Sequence, residues 1–122
     1  MDKVNIESYR DLIVWQKSMR LVVLIYKLTE QFPKSELYGL VSQMRRASVS
    51  IPSNIAEGKM RGTRKDYRHF LLNTFGSSAE LETQIEIAKQ LSFGQLLDYT
   101  EAGGLLEEVM KMLNVLIKKL DT

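Results

Sequence analysis

The stretch RRASVSIPSNIAEG, Arg45 to Gly58, spaces its apolar residues with the period of an α-helix yet carries a proline in its middle. Extended backwards, the same period puts Leu37, Val41, Met44, Ser48, Ile51 and Ile55 on one face. Ser42, Gln43, Arg46, Ser50, Ser53 and Glu57 fall on the opposite one. The first face reads as core. The second lacks the Lys and Glu of an ordinary solvated face and is dominated by small or uncharged polar residues. Pro52 costs about 3 kcal/mol in a helix interior, because it removes an amide donor and crowds the Ser48 carbonyl. A helix that tolerates it is expected to bend at Pro52, with Ser50, Ser53, Asn54 and Glu57 satisfying backbone and partner groups around the bend.

Working outward, the chain reads as four helices. The first spans about 9–31, with Leu12, Trp15, Met19, Val22, Tyr26 and Thr29 as its stripe, and stops at Phe32-Pro33. The second spans 35–58, with Ser35 as N-cap and Gly58 as the terminal glycine. Thr63-x-x-Asp66 resembles a capping box and opens the third, 63–91. Its stripe is Tyr67, Phe70, Leu71, Thr74, Ser78, Leu81, Ile85 and Ala88, and the small run from Gly76 to Ala79 would permit close helix approach. The fourth spans 95–120, with an apolar face of Leu106, Val109, Met110, Leu113, Leu116, Ile117 and Leu120. No strand-like alternation is present. Long helices with short connections predict an all-α, antiparallel up-down-up-down four-helix bundle, residues 1–122 forming one domain.

At 122 residues such a domain buries roughly two thirds of the surface of its extended chain. With no cysteine there is no disulfide, thiol nucleophile or Cys-ligated metal. The N-terminal MDKVNIESYRDL has no apolar run of signal-peptide length, and no window approaches the ~20 apolar residues of a membrane span. These features predict a soluble, cytoplasmic protein.

Catalytic parts are missing. His69 is the only histidine, which excludes a di-iron carboxylate bundle with its two Glu-x-x-His pairs, and it reads as a surface residue. Gly58-Lys59-Met60-Arg61-Gly62 has neither the spacing nor the preceding strand of a phosphate loop. Glu80, Glu82 and Glu86 read as a solvated helix face. Trp15, Tyr26, Tyr67, Phe70 and Phe75 fall mostly on core stripes. The expectation is a non-enzymatic protein with no catalytic residue, metal, cofactor or small-molecule substrate.

Charge is the feature with functional content. The net charge is +2, but residues 1–44 carry +1, residues 45–74 carry +5 and residues 75–122 carry −4. Lys59, Arg61, Arg64 and Lys65 flank one interhelical loop and Arg68 follows a turn later, so they should converge at one end of the bundle. Such a patch binds phosphate backbones, or pairs with acidic residues such as Glu101, Glu107 and Glu108 of a neighbouring subunit. Arg45 and Arg46 are further candidates, for interface pairing or for RNA. The wide apolar faces of the first and fourth helices (Leu21 to Ile25; Leu105, Leu106, Val109, Met110, Met112 and Leu113) argue for a partner surface.

Three stretches carry a family resemblance: DLIVWQKSM (Asp11 to Met19), LTEQFPKSELYGLVSQMRRASVSIPSNIAEG (Leu28 to Gly58) and GSSAELETQIEIAKQL (Gly76 to Leu91). The chain resembles the four-helix-bundle proteins encoded by intervening sequences in bacterial 23S ribosomal RNA genes. It is also similar to the accessory variability determinant of diversity-generating retroelements, a bundle that engages RNA and a reverse transcriptase through a basic surface. The resemblance implies a homopentamer without established enzymatic activity, with RNA or a ribonucleoprotein as the suspected partner. The positions that match the family pattern are Arg45, Arg46, Ser50, Pro52, Asn54, Glu57 and Gly58.

Overall fold

The computed structural model describes residues 8–121; residues 1–7, where the N-terminal stretch read above begins, and residue 122 lie outside it. Four helices are formed: α1 (Ile13–Thr29), α2 (Ser42–Met60), α3 (Arg64–Gln90) and α4 (Thr100–Lys119). Helix α1 packs against α2 and α4, and α3 packs against the same two, which is the neighbour pattern of an up-down-up-down bundle. No strand occurs among the described residues.

Local hydrogen bonds organise the segments that lead into the helices, and three helix starts differ from the sequence reading. Tyr9–Asp11 forms a separate 3-10 turn, capped by Ser8 Oγ accepting from the Arg10 amide at 3.1 Å, and extended Leu12 divides it from α1. Ser35 does not cap α2; it lies inside a 3-10 turn, Lys34–Glu36. The longer Glu36 side chain caps the turn that precedes α2, accepting from the Leu40 amide at 3.2 Å. A π-turn, Leu37–Val41, leads into α2, and its non-helical residue is Gly39 (φ −110°, ψ −112°). Helix α4 begins at Thr100 rather than near Gln95. Ser92–Gly94 makes a 3-10 turn, Tyr99 donates its hydroxyl to the Gly94 carbonyl at 2.9 Å, and the Asp98 carboxylate accepts from the Thr100 amide at 2.9 Å. That hydrogen bond holds the Asp98 carboxyl below its usual range, so its contribution to α4 is present at neutral pH and lost on acidification. Helix α3 starts as expected, with Thr63 Oγ1 accepting from the Asp66 amide at 3.1 Å.

Helix α2 runs unbroken past Pro52 and past Gly58, ending at Met60. Gly58 is therefore not the terminal glycine. The left-handed residue is Gly62 (φ 87°), which turns the chain into α3. Gly58 instead marks a close approach of α2 and α3, since a Cβ there would lie 2.6 Å from Phe70 Cβ.

The core is built from Leu21 and Ile25 of α1, Met44, Ile51 and Ile55 of α2, Leu71 and Leu81 of α3, and Val109 and Leu113 of α4, all fully buried. On α1 the buried stripe is Val14, Ser18, Leu21, Ile25, Leu28 and Thr29. It is rotated by a residue from the expected one: Met19 and Tyr26 are exposed, while Trp15 and Val22 are half-buried. The run Leu21 to Ile25 is apolar all round, so periodicity alone does not choose between the two stripes. In the π-turn before α2, Leu40 is buried in place of the expected Leu37. The stripes of α3 and α4 follow the sequence pattern, with Gln84 added as a buried polar residue whose amide donates to Glu80 at 3.1 Å.

Buried serine and threonine hydroxyls line the helix contacts. Ser18, Thr29, Ser48, Thr74 and Ser78 each donate to a carbonyl one turn back on their own helix at 2.7–2.9 Å. In the small run of α3, Ser78 is the packed member, whereas a Cβ placed on Gly76 would meet nothing within 4 Å. Gly58→Ala should therefore lower unfolding free energy by about 1–3 kcal/mol through overpacking. Gly76→Ala should raise it by about 0.4–1 kcal/mol. Denaturant titrations of the two variants check both signs.

Candidate nucleic-acid interface

The polar face around Pro52 bonds back onto its own helix. Ser50 donates to the Ala47 carbonyl, Ser53 to Val49 and the Asn54 amide to Ser50, each at 2.8 Å. These bonds add donors to a stretch where Pro52 supplies none. Glu57 is used differently, forming an ion pair with Arg61 at 2.8 Å.

The adjacent arginines separate. Arg45 Nε donates to Thr29 Oγ1 at 3.0 Å, and its guanidinium lies 4.4 Å from the centre of the Tyr26 ring, tying α2 to α1. Arg46 is exposed and has no ion pair among the described residues. It borders a shallow groove with Tyr26, Tyr38 and Val49, in which Tyr38 is 94% exposed. Tyr38 gives no signal in the sequence, since it lies off the helical stripes.

The five remaining basic candidates gather at one end of the bundle. Lys59 sits 5.5 Å from the Tyr67 ring centre and Arg61 4.9 Å from that of Phe70, so both stems lie along the aromatic start of α3. Arg64 Nη2 donates to the Lys119 carbonyl at 2.9 Å, an arginine on the C-terminal end of α4. Arg68 pairs with Asp121 at 3.3 Å. Lys65 is exposed, as is His69, which meets the Phe70 ring edge-on. The antiparallel topology adds Lys118 and Lys119, both exposed, to this end. A lone Lys-Lys pair carries no signal in sequence; its meaning depends on which helix ends it joins. Burial pushes the Tyr67 phenol above its usual range, and its hydroxyl is buried without a hydrogen-bond partner among the described residues.

Three ion pairs lie elsewhere on the bundle. Lys17 pairs with Glu108 at 2.7 Å, Lys111 with Glu107 at 3.2 Å and Lys89 with Glu86 at 3.1 Å. Glu80 and Glu82 are exposed on α3. Among the described residues no group of His, Asp and Glu converges as a metal cage requires, and no helix is long and apolar enough to cross a membrane.

An all-α bundle with a polarised, cation-rich end defines the class. Within that class, the sequence profile of the 23S rRNA-intervening sequence protein family matches residues 10–115, most of the chain, and the chain belongs to this family. No curated protein matches it.

Because Arg45 is tied to α1 and Arg46 is not, their alanine variants should differ. Arg45→Ala should destabilise by about 1–2 kcal/mol, through the lost hydrogen bond and ring contact. Arg46→Ala should stay within about 0.5 kcal/mol of the parent. Thermal and chemical unfolding of the pair provide the check.

Proposed function

We propose that this chain is a non-enzymatic, ring-forming cytoplasmic bundle whose basic end binds RNA, alone or within a ribonucleoprotein. One observation carries the reading: the turn between α2 and α3 and the end of α4 gather Lys59, Arg61, Arg64, Lys65, Arg68, Lys118 and Lys119 at one end. The four lysines of this group, Lys59, Lys65, Lys118 and Lys119, make no ion pair among the described residues. Lysines in that condition are the groups that exchange counterions for phosphates. The membership of the chain in a family named for an intervening sequence of ribosomal RNA supports the same partner. The competing arrangement, in which the basic end pairs with Glu101, Glu107 and Glu108 of a neighbour, has less support, because Glu107 and Glu108 already pair with Lys111 and Lys17 of their own chain.

Ring formation draws support from side chains that a lone bundle leaves in water. Ile13, Met19 and Val23 on α1, Val49 on α2 and Val115 on α4 are each 40–58% exposed. The groove between α1 and α2, lined by Trp15, Met19, Val22, Val49 and Pro52, joins some of them into one patch. In this reading Pro52 helps shape a subunit contact.

Arg64 holds the end of α4, so the RNA test spares it. Arg61→Gln with Lys65→Gln should weaken binding of a single-stranded RNA and lower the slope of log affinity against log salt by roughly 1.4, two contacts at about 0.7 each. Absence of RNA binding by the parent protein at low salt would overturn the reading. Met19→Glu with Val49→Glu should convert the oligomer to monomers by light scattering while circular dichroism keeps its helical signal; an unchanged assembly would place the contact elsewhere.

A further inference from the structure

We propose that the cavity between the first turns of α3 and the end of α4 holds a single phosphate group, and that Asp121 occupies its place in the unbound chain. The inference deepens the RNA reading and rests on it for the source of the phosphate. Arg64, Lys65, Arg68 and His69 line one side of the cavity, and Leu120 and Asp121 line the other. Both arginines already bind oxygens there: Arg64 takes the Lys119 carbonyl at 2.9 Å and Arg68 takes the Asp121 carboxylate at 3.3 Å. The end of α4 thus presents an acceptor to each, in the way a phosphate would.

The Arg68 fork is incompletely used. Asp121 Oδ1 engages Nη2, while Nε of the same guanidinium is buried and has no hydrogen-bond partner among the described residues. A phosphate presents several acceptor oxygens and can take both Nε–H and Nη2–H side by side, the bidentate geometry to which guanidinium is suited. Asp121 is 69% exposed at its side chain, so the pair is weak enough to be displaced. Lys65 has no ion pair among the described residues and lies on the rim, where it can meet the same group or its neighbour on a chain. Asp121 therefore acts as an internal competitor that sets the threshold for phosphate entry.

The test compares the parent with Asp121→Asn and with Asp66→Asn. Asp66 is an exposed residue of the same helix end whose charge acts on Arg61, so its variant makes the same change in net charge outside the cavity. Inorganic phosphate is titrated while the NMR signal of Arg68 Nε–H is followed, and RNA of one sequence, with and without a terminal phosphate, is titrated by fluorescence anisotropy. The expected result is a saturable shift of Arg68 Nε–H with a midpoint roughly two- to fivefold lower in Asp121→Asn than in the parent, as for an exposed ion pair. Asp66→Asn should stay near the parent, and the RNA affinities should follow the same order. Loss of binding on removing the terminal phosphate assigns the cavity to a chain end, and equal binding assigns it to an internal phosphodiester. No saturable shift, or equal effects of the two Asp variants, overturns the proposal. RNA binding with Arg68 Nε–H unmoved refutes the cavity alone, whereas a phosphate response without RNA binding supports the cavity and refutes the RNA reading.

Discussion

The absence of a side chain at Gly58 is the constraint on which the rest depends. Because a Cβ there would lie 2.6 Å from Phe70 Cβ, α2 and α3 meet at a distance only glycine permits. That contact sits beside the turn at Gly62, the one described residue with positive φ, and the two together fix how α3 leaves α2. The packing also decides the electrostatics. It lays Arg61 along Phe70 and Lys59 along Tyr67, and it brings the first turns of α3 to the end of α4, where Arg64 and Arg68 find oxygen acceptors. A packing requirement on one glycine thus becomes a concentrated positive charge at one end of the molecule.

Buried serine and threonine hydroxyls of the bundle are satisfied close to home. Ser48, Thr74 and Ser78 are fully buried, and each donates to a carbonyl of its own helix, so the helices approach without stranding these hydroxyls. The same device surrounds Pro52, where Ser50, Ser53 and Asn54 bond backward into α2. The polar face that marks this segment in sequence therefore serves mainly the hydrogen bonding of α2 itself. Beside α1 it leaves an apolar edge, formed with Trp15, Met19, Val22 and Val49, which the proposed subunit contact would use.

Legibility followed the range of the deciding interaction. The cap of α3 is readable in sequence because Thr63 and Asp66 settle it between themselves. The stripes of α3 and α4 are readable because one face of each is distinctly more apolar than the other. On α1 the run Leu21 to Ile25 is apolar all round, and only contact with α2 and α4 selects Leu21 and Ile25 for the core. Ser35 and Gln95 look like helix starts, but Glu36 and Asp98 reach the relevant amides and displace them. Lys59 to Arg68 are evident as a cluster along the chain. Lys118, Lys119 and Asp121 are not, since only the antiparallel topology carries the end of α4 to the same place.

The proposed function makes one claim about place, that RNA would meet this bundle at the end where α2 turns into α3. Photo-crosslinking of bound RNA followed by peptide mapping addresses it without any substitution in the chain. Adducts are expected on the segment from Lys59 to His69 and on the end of α4 from Lys118 to Asp121. Adducts confined to the groove around Tyr38 and Arg46, with the basic end unmodified, would refute it.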